Sequence, residues 1–181
     1  MKKVFITGIT GFAGSYLARY LLSTGNFSVS GTYLTEGSIA TISSIKNKIE
    51  LIKLNLLDDK KVFSAIKEQK PDMVFHLAAL TSPADSFSNP VETLTNNIAA
   101  QINLMEAIRN NNLLDTKILI VSSGDVYGIV EEKDLPIDEE TLLRPANPYS
   151  VSKITQDFLG LQYFLSYKLK MPTSVGFKIS P

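Results

Sequence analysis

Short apolar runs alternating with stretches of helical periodicity constrain this chain's fold more than any other feature of its sequence. Val4-Phe5-Ile6 is the first run, and residues 12–22 follow it with Leu17, Leu21 and Leu22 on one side at helical spacing. A second strand is expected over 27–33, a third over 49–54, then a helix over 60–70 and a fourth strand over 72–77. Val91, Leu94, Ile98, Ile102, Met105 and Ile108 recur at steps of three and four, which predicts a long amphipathic helix ending in the polar run Asn110-Asn111-Asn112. A fifth, almost wholly aliphatic strand is expected over 117–121. Pro148, with its fixed φ and missing N–H, opens a last helix. Apolar strands separated by helices describe an α/β protein, a doubly wound parallel sheet with helices on both faces. Such sheets bind ligands beyond the carboxyl ends of their strands.

Composition narrows the chemistry. The 181 residues suit one domain with a sizeable core. Its 18 basic and 18 acidic residues cancel, which argues against nucleic acid or an anionic membrane as partner. The absence of cysteine removes disulfides, thiolate metal sites and cysteine nucleophiles, and a single histidine, His76, argues against a histidine metal cluster or a serine–histidine triad. No metal is expected. The apolar start is cut short by Thr7-Gly8, and no run approaches the ~20 apolar residues of a membrane span, so the chain reads as cytoplasmic.

Between the first strand and the first helix stands Thr7-Gly8-Ile9-Thr10-Gly11-Phe12-Ala13-Gly14, with glycines at steps of three. Gly8 suits the tight turn, Gly11 lets backbone amides approach a pyrophosphate, and Gly14 lets the helix pack closely on the strand. The start of the helix adds free N–H groups and a partial positive charge. A glycine-rich turn with no ligand is the alternative, but a strand before and a helix after favour dinucleotide binding and the Rossmann form of the sheet. Where such sites select NAD, an acid at the end of the second strand takes the ribose hydroxyls. Thr32 holds that place here, so nothing repels a 2′-phosphate, and NADP is expected, with NAD as the alternative. Glu36, further along, reads as a solvated loop charge.

Tyr149-Ser150-Val151-Ser152-Lys153 sets a phenol and an ammonium four residues apart on one helical face. A phenol ordinarily ionises near pH 10, too high for acid–base work at neutrality. A neighbouring ammonium and a positively charged nicotinamide both favour the phenolate. Ser123, just after the fifth strand, is placed to hydrogen-bond the reacting oxygen. The alternative reading makes Tyr149 and Lys153 ordinary helix-surface residues; the phosphate loop and the serine at a strand end argue for a catalytic set.

Taken in order, these motifs resemble the extended short-chain dehydrogenase/reductase family, in its nucleotide-sugar epimerase/dehydratase branch. The resemblance runs from Lys3 to about Lys168. It rests on the glycine motif, Asn55-Leu56-Leu57-Asp58, His76-Leu77-Ala78-Ala79, Asp85-Ser86-Phe87 with Asn89-Pro90, Ser122-Ser123-Gly124-Asp125-Val126-Tyr127-Gly128, and Pro148 through Lys153. It implies that Ser123, Tyr149 and Lys153 are catalytic and that Asn55 and Leu56 flank the adenine. Leu77, Ala78, Ala79 and Asn97 would line the cofactor channel, and Thr81 and Ser82 would sit near the nicotinamide and the hexose. His76 would be structural.

Within that branch the Ser123-Gly124-Asp125 triplet and Thr81-Ser82-Pro83 look most like GDP-4-dehydro-6-deoxymannose reductases. The implied reaction is reduction of a GDP-linked 4-keto-6-deoxyhexose at C4, with 4,6-dehydration or epimerisation as alternatives. Asp125 is either a shortened dehydratase base or a turn residue. Members commonly form homodimers through two long helices, here over 91–110 and 148–167. After Tyr167 the pattern breaks: Ser174-Val175-Gly176-Phe177-Lys178-Ile179-Ser180-Pro181 lacks the arginine and asparagine that usually precede a substrate domain. Residues 1–181 are therefore expected to be the NAD(P)-binding domain of a shortened member. A non-catalytic NAD(P) sensor is the reading from another class.

Overall fold

The computed structural model of the protein describes residues 1–171; the segment from Ser174 to Pro181, where the family pattern is expected to break, lies outside the described residues. In chain order the elements are β1 (Lys2–Thr7), α1 (Phe12–Ser23), β2 (Phe27–Tyr33), β3 (Glu50–Lys53), α2 (Asp59–Gln69), β4 (Met73–His76), α3 (Pro83–Ser88), α4 (Pro90–Asn110), β5 (Lys117–Ile120) and α5 (Pro148–Tyr167). The five strands lie in the order β3-β2-β1-β4-β5, and every neighbouring pair is parallel. The chain steps outward from β1 to β2 and β3, then returns to the other side of β1 with β4. That reversal opens a crevice between the ends of β1 and β4, where doubly wound sheets take their ligands.

Strand side chains alternate between two cores, as a period of two requires. Val4 and Ile6 of β1 and Val29 of β2 pack under α1 with Ala18 and Leu21. Phe5, between them in sequence, faces the other way. It joins Val74 of β4, Ile118 and Ile120 of β5, Ile66 of α2, Leu104 and Ile108 of α4 and Tyr163 of α5. Both faces are thus covered, and the Rossmann-like sheet expected from the sequence is the fold observed.

Three details depart from the sequence expectations. The fifth strand stops at Ile120, and Val121, expected inside it, is 37% exposed beyond its end. β3 and β4 are each shorter than 49–54 and 72–77. The six-residue α3 was not anticipated. It starts at Pro83 and is capped by Ser82, whose Oγ accepts from Asp85 N at 3.1 Å. Among the described residues no helix is long and apolar enough to cross a membrane.

Candidate active site at the carboxyl edge of the sheet

The glycine loop is built as its spacing suggests. Gly8 adopts φ +69°, and a Cβ there would stand 3.0 Å from Ala78 Cα, so the turn and the close approach of the segment after β4 both need glycine. A Cβ on Gly14 would collide with the Gly8 carbonyl, which is what allows α1 to start this close to β1. Gly8 N donates to Thr32 Oγ1 at 3.2 Å and Ile9 N to Thr32 O at 3.0 Å, tying the loop to the end of β2. From above, Thr41 Oγ1 donates to Thr10 O at 2.7 Å, and the Arg19 guanidinium donates to Thr41 O.

Beside this loop lies a cleft of about 300 Å³. Gly8, Thr10, Thr32, Asn55, Leu56, Ala78 and Ala79 line it, together with Thr35, Ser38 and Asn96. Gly11, Phe12 and Ala13 are exposed next to it and Gly14 is buried. α1 begins at a glycine cap with no side-chain hydrogen bond and no acidic residue in its first turn. The first N–H groups of the helix are thereby left for an anion from outside the chain, so this cradle fits a dinucleotide's pyrophosphate. Glu36 is not in the lining; its carboxylate pairs with Lys53 at 3.0 Å. A hollow of about 440 Å³ under the 127–144 loop contains none of the candidate residues.

α5 carries the phenol and the ammonium. Its start is fixed by Asn147, whose Oδ1 accepts from Ser150 N at 2.7 Å, and by Pro148 in the first turn. Tyr149 and Lys153 are both buried, at 7% and 5% exposure, with Lys153 Nζ 5.9 Å from the centre of the Tyr149 ring. Lys153 Nζ donates to Val121 O at 2.9 Å, the carbonyl just past β5. Burial pulls the Lys153 ammonium down to about 8, and the charge of Asp157 opposes that fall. Ser123, half-buried, accepts from Asp125 N at 3.2 Å, so its hydroxyl proton stays available to another oxygen; Ser123, Tyr149 and Lys153 are not in the lining of the cleft. Asp125 is exposed in the first turn of the short 3₁₀ segment over 124–127.

Hydrogen bonds join the end of β1 to the end of β4. Thr7 Oγ1, at the end of β1, accepts from Leu77 N at 3.1 Å and Ala78 N at 3.2 Å. With both acceptor positions used, it donates its own proton to His76 Nδ1 at 2.9 Å, which puts the proton of the neutral ring on Nε2. Burial first, and then the Lys153 charge, hold His76 down to about 3, so it is neutral.

Asn97 sits differently from expectation. It is fully buried; its Nδ2 donates to Leu80 O at 3.0 Å and to Ser152 Oγ at 2.9 Å, while Oδ1 accepts from Leu80 N at 2.8 Å. The side chain ties the segment after β4 to α5, and its neighbour Asn96 is the one that lines the cleft. Leu77 likewise packs into the α1-side core. Ser82 is used as the cap of α3, and Thr81 is exposed beside it.

Two residues of the site escaped the sequence reading. Asn96 differs from Asn97 only by its rotation on α4. Asp157, one turn beyond Lys153, is 7% exposed and accepts from Ser122 Oγ at 2.5 Å. Burial pushes its carboxyl up to about 6, against the pull of Ser122 and Lys153. The available signal for Asp157 was its i+4 spacing from Lys153.

Comparison with known proteins gives the family. The chain is 33% identical over 162 residues to GDP-6-deoxy-D-mannose reductase of Pseudomonas aeruginosa, covering 90% of this chain and 47% of the relative. It is also 33% identical to dTDP-D-glucose 4,6-dehydratase of Dictyostelium discoideum, covering 93% of this chain and 42% of that protein. The solved structure of RMD from Pseudomonas aeruginosa complexed with NADPH superposes with a TM-score of 0.76 at 30% identity, over 96% of this chain and 52% of that one. The chain spans about half the length of these relatives. The family model described as GDP-mannose 4,6 dehydratase matches residues 5–179, nearly the whole sequence, and the chain belongs to that family.

Proposed function

We propose that the protein is the cofactor-binding and catalytic part of an NAD(P)-dependent enzyme that reduces a nucleotide-linked 4-keto-6-deoxyhexose at C4. The observation that carries this reading is that an uncapped glycine cradle after β1 and the buried Tyr149–Lys153 pair, anchored to the carbonyl just past β5, share one edge of the parallel sheet. A bound nicotinamide dinucleotide supplies hydride to the carbonyl carbon; the chain's own residues do the rest. Tyr149 holds the proton that the developing alkoxide takes up, and Ser123 donates a hydrogen bond to the same oxygen. Lys153, held by Val121 O, sets positive charge beside the phenol. Ala78, Ala79, Asn55 and Leu56 wall the cleft and would take the adenosine; Thr81 and Ser82, just after β4, would stand on the side of the hexose. The backbone amides of Phe12, Ala13 and Gly14 would hold the pyrophosphate, while Gly11 N donates within the loop to Gly8 O at 2.9 Å.

NADP is the preferred form, because the end of β2 offers Thr32, Thr35 and Ser38 to the cleft and Glu36 is drawn off to Lys53. A GDP-linked sugar is favoured by the similarity to the Pseudomonas reductase. The exposed, turn-bound setting of Asp125 supports reduction over 4,6-dehydration, which needs an acid and a base held at the sugar. Val151, Phe158 and Leu165 recur at steps of seven on the exposed side of α5, which supports a homodimer through α4 and α5. The test is incubation with NADPH and GDP-4-keto-6-deoxymannose. Loss of reduced-nicotinamide absorbance is expected, and no loss at saturating protein contradicts the reading.

A further inference from the structure

Three consecutive residues follow β5, and each is anchored differently. Val121 O accepts from Lys153 Nζ at 2.9 Å, Ser122 Oγ donates to Asp157 Oδ2 at 2.5 Å, and Ser123 Oγ accepts from Asp125 N at 3.2 Å. Two of these anchors are the buried charges of α5, one turn apart. A carboxylate taken out of water is costly unless its charge is compensated, and an apolar residue would fill position 157 at less expense. The retained acid therefore calls for a role. Asp157 is not in ion-pair contact with Lys153, so its effect is a field across one helical turn plus the bond from Ser122.

We infer that Asp157 is a positioning residue for the candidate catalytic set: with Ser122 it clamps the 121–123 segment to α5, and its charge keeps the Lys153 ammonium beside Tyr149. The inference rests on the catalytic reading above. The titratable groups facing the pair leave it little competition. His76, from the end of β4, is neutral and cannot supply negative charge. Tyr127, from the segment after β5, has its phenol pushed up by burial and then by Glu139, Asp138 and Asp157, so it too stays neutral. Asp157 is thus the negative charge that holds the proton on Lys153 against burial. The same clamp fixes Ser123, which is continuous with Ser122 in the chain.

The experiment follows the ionisation of Lys153 by NMR in ¹³C-lysine-labelled, cofactor-free protein, alongside the pH profile of turnover. Asp157→Asn keeps the size of the side chain and an acceptor for Ser122. It is expected to lower the Lys153 midpoint by about one pH unit or more, and to move the alkaline limb of kcat down with it. Asp157→Glu should return both towards wild type. Ser122→Ala should lower kcat and, by removing the bond that favours ionised Asp157, move the Lys153 midpoint down by less than Asp157→Asn does. An unchanged midpoint in folded Asp157→Asn overturns the inference, as does a shifted midpoint with an unmoved kcat profile. Should Asp157→Asn fail to fold, a Lys153 midpoint in Asp157→Glu far from the wild-type value overturns it equally. Absence of turnover in the wild type contradicts the catalytic reading alone; the midpoint then decides whether Asp157 controls Lys153.

Discussion

Gly8 has no room for a side chain: φ is +69° and Ala78 lies where a Cβ would stand. Gly8→Ala is expected to destabilise the protein by about 1–3 kcal/mol in urea unfolding and to weaken NADPH binding in the same samples. At Tyr149 the expectation is different. Tyr149→Phe should lower turnover by about 10²–10⁴-fold while leaving the calorimetric affinity for NADPH near wild type; unchanged turnover would remove Tyr149 from the catalytic set. His76 has a pH signature. Between about 3 and 6.5 the unfolded chain holds a proton there that the folded protein does not, so stability falls as the pH drops through that window. Asp157 works the other way: from about 6 down to 3.8 the folded protein holds the extra proton and gains stability on acidification. The His76 window is the wider, so His76→Asn, which keeps an acceptor for Thr7, should lose less stability than wild type between pH 6.5 and 4, as thermal melts at each pH would show. The glycines and the tyrosine–lysine spacing were legible because backbone sterics and helical period are local. Asp157 was not, because its burial is decided by Ser122, 35 residues away.

Elements place these residues through their ends and their rotations. Asn97 on α4 bonds both backbone groups of Leu80 and reaches Ser152 on α5, and Gln101 Nε2 and Gln156 Nε2 tie the same helices together at 2.7 and 3.1 Å. Asn97→Ala leaves those buried partners unpaired and should cost about 2–4 kcal/mol of stability in chemical denaturation. It should also weaken NADPH binding, since Leu80 adjoins the cleft-lining Ala78 and Ala79. The long helices and all five strands could be read from periodicity alone. The end of β5 could not: Val121 is aliphatic, and only the bond from Lys153 shows that it has left the sheet. α3 was missed because six residues carry too little periodicity, although Ser82-Pro83 followed by Asp85 is a capping signature. The choice between Asn96 and Asn97 was illegible for a further reason. Adjacent helix positions differ by about 100° of rotation, and the packing of α4 on α5 sets which one faces the cleft.

Across the molecule, parallel strand order puts every loop that carries chemistry on the same edge. β1 delivers the glycine loop, β4 the Leu77–Leu80 segment and β5 the Val121–Ser123 anchor, while α5 closes over them with Tyr149 and Lys153. The α5 stripe of Val151, Phe158 and Leu165 leads to one expectation at this scale. Light scattering should give a dimer mass, and Phe158→Glu should shift it to the monomer. The central claim is that cradle and catalytic pair serve one dinucleotide, and a crystal structure with NADPH bound tests it most directly. The pyrophosphate is expected at the first turn of α1, with the nicotinamide ribose within hydrogen-bond reach of Tyr149 Oη and Lys153 Nζ. A dinucleotide bound elsewhere, or one whose nicotinamide end turns away from Tyr149, would contradict it.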